Sequence, residues 1–312
     1  MQRKNLLLLL LLAMLWGPSF LFIKVAVAEI PPITFVFTRV ALAAALLFLL
    51  LRQQKRRLPP PGRIWLYLAI VAFFQISLPF VLVGWAEQFI DSAVASILNS
   101  LTPIFTVILA HMLTTDDKIT ATKAIGILLG LLGSALLVAP VLLTGVQATT
   151  LGLLAMIVAT ACYGIALVVA RKQLRGMPSM VAPTSQMLLA TLFLIPLVFL
   201  FDQPFSQPMP SLKAAGSVVA LAVFGTTVAF IVYYRLNETA DASFVSLVTY
   251  LVPIFGIILG VLVLDERLGW NDYAGFALIL TGVMIVNGLF NIGGNSLRAG
   301  QLRARFRARL IR

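Results

Sequence analysis

Arg39 lies inside an apolar run, about two helical turns from its nearer end. A guanidinium in hydrocarbon faces a bundle interior and marks a functional position by default, and its fork of donors fits a carboxylate. The chemistry would be anion recognition or gating; the competing use is a structural ion pair with Glu87 or Asp91. Trp16, Gln75, Asn99, Tyr163 and Tyr250 are polar-capable side chains in comparable apolar runs and are expected to line a cavity with Arg39. Gln75, Asn99 and Ser100 could equally be hydrogen-bond partners between helices. Pro103 and Pro253 fall near the middles of two such runs. Each removes a backbone donor and clashes one turn back, so both are read as kinks that shape the cavity and give it a bending point. Lys24, one turn from a helix end, is expected to snorkel to the interface. Trp85, Tyr233 and Tyr234 suit an interfacial belt. His111, the one histidine, is either a proton relay or, being near a helix end, a solvated side chain.

Other chemistries find no support. One cysteine, Cys162, permits no intramolecular disulfide and no cysteine-rich metal site. No His-Glu-x-x-His, nucleophile elbow or phosphate-binding loop occurs. Asp116-Asp117 and Asp265-Glu266 resemble paired acidic clusters, but they are expected on opposite membrane faces and so cannot share a site. No catalytic residue, metal or cofactor is expected, and no nucleic-acid partner.

The elements that must position these residues follow from composition. Hydrophobic residues make up 61% of the 312 and charged residues 11%, with a mean hydropathy of +1.03. A soluble core cannot hide that excess. The expected fold is all-α integral membrane, with ten transmembrane helices at residues 6–27, 33–51, 64–84, 92–112, 122–140, 150–170, 181–201, 214–234, 242–262 and 272–290. Of the 23 basic residues, nineteen then fall on one side and three on the other, with Arg39 within a helix. By the positive-inside rule the N-terminus and C-terminus are cytoplasmic. A cleaved secretory signal ending at Ala26-Val27-Ala28 is the rival reading of the first helix, but Leu6 to Ile23 is long for one.

The chain also repeats itself. Residues 93–112 and 243–262 share seven identities at an offset of 150, including Pro103/Pro253, Ile104/Ile254 and Phe105/Phe255. An offset of 147 superposes Trp16 on Tyr163, Lys24 on Arg171 and Arg39 on Gln186, and an offset of 149 pairs Gly126 with Gly275 and Gly133 with Gly282. Five helices per repeat is odd, so the second repeat enters the membrane inverted. Inverted halves around a midplane site are the architecture of secondary transporters.

These residues resemble the EamA branch of the drug/metabolite transporter superfamily. The resemblance rests on Trp16-Gly17 and Lys24, on Pro31 to Arg39, on the two Pro-Ile-Phe segments, and on Leu264-Asp265-Glu266-Arg267-Leu268-Gly269. It departs at Thr114 to Lys118, where Asp116 takes the Glu position, and in the basic tail. It implies repeats at residues 5–140 and 150–290, and an inner-membrane exporter of amino acids or related small polar metabolites. The tail at 291–312 is expected to be cytoplasmic and to meet anionic lipid. Protons are a candidate coupling ion. An uptake carrier or facilitator of the same fold is the alternative, with a membrane enzyme behind it.

Overall fold

A computed structural model describes residues 2–113, 119–143, 147–174, 176–178, 180–239, 245 and 247–288. Thr114 to Lys118, Asp241 and the tail from 291 onward lie outside them. The described residues are helical, with no strand among them. Eight helices are long and apolar enough to cross a membrane: α1 (Arg3–Val27), α2 (Pro32–Gln53), α3 (Ile64–Ala86), α4 (Ser92–Leu113), α5 (Ala121–Pro140), α6 (Ala148–Gln173), α7 (Val181–Asp202) and α8 (Leu212–Leu236). Two shorter apolar helices follow, α9 (Val248–Leu264) and α10 (Trp270–Val286). Leucines at 7, 128, 132 and 192 stand open on the outside. They are stable there only against lipid.

Helix identity here follows from residue type: long Leu, Ala and Val runs satisfy every backbone group internally, which hydrocarbon demands. The interruptions carry more information. α1 breaks at Gly17-Pro18, between Gln2–Trp16 and Ser19–Val27, and a Cβ on Gly17 would collide with the base of the Phe255 side chain of α9. α4 is two helices, Ser92–Asn99 and Thr102–Leu113. Pro103 therefore opens a new helix instead of kinking the middle of one. Its missing donor frees the Asn99 carbonyl, which accepts the Thr102 hydroxyl at 2.8 Å. Pro253 is within α9, in its second turn.

Two helices widen into π turns, α3 at Phe73–Ser77 and α8 at Leu221–Val228. Offsetting the first by 149 lands it within the second. A third π turn, Val198–Asp202, ends α7.

α5 and α10 make the closest crossing. A Cβ on Gly126 would lie 2.6 Å from the Gly282 carbonyl oxygen, and one on Gly133 would lie 2.7 Å from that of Gly275. The contacts run in opposite directions along the two chains, so the helices are antiparallel with backbones touching. Glycine at these four positions is the condition for that approach.

Candidate functional site

Arg39 enters the bundle on α2, which packs against α7 and the π turn of α8. It is 4% exposed. Its Nε donates to Thr226 Oγ1 at 2.9 Å, and its Cζ stands 4.3 Å over the Phe80 ring centroid of α3. Widening of α8 into a π turn at Leu221–Val228 accompanies this placement of Thr226; such bulges recur at functional sites. Among the described residues that Nε bond is the guanidinium's one hydrogen bond, so both Nη groups keep their donors. Tyr163 of α6 and Glu87 lie within electrostatic reach.

A second buried polar group lies on α7. Gln186 of α7 is fully buried; its Oε1 accepts the Tyr234 hydroxyl at 3.3 Å, and its Nε2 has no partner. Tyr234 packs against Tyr233 and Phe230, with ring centroids 5.4 and 6.5 Å away. Trp16 meets the same aromatic group, 5.6 Å from Tyr233 and 6.4 Å from Phe230. Ser77, Thr160, Thr184 and Ser185 are buried polar residues of these helices.

The structure therefore gathers Arg39 with Tyr163, and Trp16 with the α8 aromatics. It does not join the other candidates to them. Gln75 is half-buried in the α3 π turn, and Asn99 ends the first part of α4. Tyr250 is tied to α10, donating to the Val283 carbonyl at 3.1 Å and accepting from Asn287 Nδ2 at 2.6 Å. Sequence reasoning did not place Gln186 or Thr226 in the site and assigned Tyr234 to an interfacial belt. The offset that superposes Arg39 on Gln186 was the available signal for the first. Two surface clefts occur elsewhere, one lined by Glu29, Thr34 and Thr38, the other by Met14, Ser19 and Phe224.

One end of the bundle is built from carboxylates. Glu29 accepts from the Ser211 amide and hydroxyl, both at 2.7 Å. Asp202 accepts from the Thr34 amide at 2.7 Å. Glu266 accepts from the amides of Ser92 and Ala93, at 2.7 and 2.9 Å. Each carboxylate reaches a helix N-terminus, where unpaired amides and the dipole favour negative charge, and each link joins residues before 140 to residues after 150. The bonds with Ser211 hold the Glu29 carboxyl below its usual range.

Lys24 belongs to this end and does not snorkel: its Nζ donates to the carbonyls of Glu87 and Ile90, both at 2.7 Å. Arg39 likewise forms no hydrogen-bonded ion pair with Glu87 or Asp91, because Thr226 and Phe80 hold it. Trp85 meets Phe89 edge to face, with ring centroids 5.1 Å apart. His111 accepts the Ile119 amide on Nδ1 at 3.3 Å.

Helices long and apolar enough to cross a membrane, packed around a buried guanidinium, are those of a multi-pass membrane protein. The EamA-like transporter family model matches twice, over residues 3–139 and 150–288, and the chain belongs to that family. It is 26% identical to an uncharacterized transporter of Archaeoglobus fulgidus over 287 residues, covering 91% of this chain and 98% of that one. It is 25% identical to the uncharacterized transporter YoaV of Bacillus subtilis, covering 87% and 92%. The uncharacterized inner membrane transporter YedA of Escherichia coli is 25% identical, with 88% of each chain covered. A solved crystal structure aligns with a TM-score of 0.65 at 18% identity, over 93% of this chain and 99% of the other; that likeness concerns the fold alone.

Proposed function

We propose that this protein is a secondary transporter of the inner membrane that exports small carboxylate-bearing metabolites, amino acids among them, by alternating access. The observation that carries the reading is the Arg39 guanidinium, buried inside the bundle with both Nη groups unpartnered. A bidentate carboxylate fits that fork, and the neutral Gln186 Nε2 supplies a further donor at the repeat-equivalent position. Trp16 and Tyr163 would flank the apolar part of the substrate. Gln75, Asn99 and Tyr250 would contribute only where the cavity widens during the cycle.

Two inverted five-helix repeats, at residues 5–140 and 150–290 with both termini cytoplasmic, are the framework we infer. The glycine crossing supports it. Pairing Gly126 with Gly275 and Gly133 with Gly282 in sequence turns the Gly126–Gly282 contact into the Gly133–Gly275 contact, as a twofold axis requires. The acidic end is then the outer one, and its three carboxylate links between halves describe a state closed on that side. The name of the Escherichia coli relative supports the location. The break before Pro103 in α4 and Pro253 within α9 are repeat-equivalent points at which these helices would bend.

The test is counterflow in proteoliposomes preloaded with the standard amino acids. Exchange by the native protein, lost in Arg39→Ala at unchanged membrane abundance, is expected. Exchange by Arg39→Ala at the native rate would remove the assigned role of that residue.

A further inference from the structure

Glu87 follows α3 directly, beyond the span, and is 0% exposed. Both of its carboxylate oxygens are buried without a hydrogen-bond partner. At the same end Glu29, Asp202 and Glu266 each hold helix amides instead. A buried carboxylate with no donor to stabilise it takes up a proton rather than remain charged.

Its surroundings supply the means to reverse that. Lys24 of α1 bonds the Glu87 backbone carbonyl, so its ammonium stands beside the carboxyl without engaging it. Phe80 stands on α3 about two turns before Glu87, which caps that helix, and Arg39 sits over Phe80. Arg39 and Lys24 attract the ionised form and Glu266 repels it. Asp91, on the turn after α3, is half-buried and feels Glu266, Lys24 and Asp272 of α10. Tyr163 of α6 is the remaining titratable group facing Arg39.

We propose that Glu87 is the proton-binding site of the transport cycle, exchanging its proton with water at the acidic end and competing, when ionised, with the substrate carboxylate for Arg39. This rests on the carrier reading above. Protonated Glu87 leaves Arg39 to the substrate. When the O–H bond breaks, the proton passes to water and the carboxylate electron pair remains to draw Lys24 and Arg39 toward it. Burial holds the Glu87 carboxyl well above the ordinary carboxylate range, against the pull of Lys24 and with the push of Glu266.

Infrared spectroscopy of the purified full-length protein in lipid nanodiscs, in sodium-free buffer, tests this directly. A carboxylic-acid C=O stretch is expected, and it should persist to higher pH than that of an ordinary carboxyl before it is lost on titration. The band should be missing in Glu87→Gln, shifted but present in Glu87→Asp, and unchanged in Asp91→Asn. In proteoliposomes, amino-acid exchange by the native protein should respond to an imposed pH gradient, and that response should vanish in Glu87→Gln and return in Glu87→Asp. No band assignable to Glu87, or a band that never titrates, overturns the proposal. So does native exchange that ignores the gradient, which leaves the carrier reading standing. A titrating band in a protein that exchanges nothing would retain Glu87 as a proton site and sink the carrier reading instead.

Discussion

Replacing Glu266 with Ala should open the acidic end. Two backbone amides, those of Ser92 and Ala93, donate to its carboxylate at 2.7 and 2.9 Å. Hydrogen bonds to a charged partner contribute about 1.5–3 kcal/mol each, so the pair is worth about 3 kcal/mol at the lower figure, which suits a half-buried loop that water can partly reach. At 1.4 kcal/mol per tenfold, the closed arrangement should lose roughly a hundredfold in population relative to open ones. Ser92 is 0% exposed, which makes it a reporter. With Cys162 changed to Ala and Ser92 to Cys, labelling by a membrane-impermeant maleimide should be slow in the otherwise native chain and accelerate by about that factor with Glu266→Ala. Glu266→Gln, which keeps an acceptor oxygen but not the charge, should fall between. An acceleration under about threefold, less than 1 kcal/mol, would show that the link does not hold the two halves together.

Arg39→Lys should restore little of the exchange lost in Arg39→Ala, because an ammonium cannot reproduce the fork or its stacking on Phe80; initial counterflow rates measure this. Gly133→Ala places a Cβ 2.7 Å from the Gly275 carbonyl oxygen, so α5 and α10 must separate, at a cost of about 1–3 kcal/mol. Thermal unfolding in detergent should show a lower midpoint for it, and no change for Gly62→Ala, where nothing lies nearby. The Glu29 carboxyl is held below its usual range by Ser211. Its link is therefore complete above the ordinary carboxylate pKa and is lost as pH falls through the lowered value. The difference in thermal midpoint between the native chain and Glu29→Gln should be full at neutral pH and disappear on strong acidification.

The apolar runs were legible in the sequence because lipid leaves so few alternatives to a helix, and Arg39 was conspicuous within one for the same reason. Its partners were not legible. Thr226 looks like any small polar residue until the π turn of α8 is seen, and a one-residue widening leaves no mark in composition. Lys24 was one turn from a helix end, which favours snorkelling only where no acceptors are near; the carbonyls of Glu87 and Ile90 are. The middle of a run is where proline should kink, yet at Pro103 the helix restarts, because Thr102 can take the freed carbonyl. Glu29, Asp202 and Glu266 stand at the ends of apolar runs, and only knowing which ends meet reveals that each holds a helix N-terminus far away in the chain. The pairing of Arg39 with Gln186 was present in the repeat, but its meaning depends on the unpartnered donors both positions carry.

If Arg39 receives a carboxylate inside a carrier, exchange must depend on the substrate's having one. Counterflow by the native protein, measured for amino acids beside the same amino acids converted to their amides, tests it most directly. Exchange of the carboxylates with none of the amides is predicted, and equal exchange of both would contradict it.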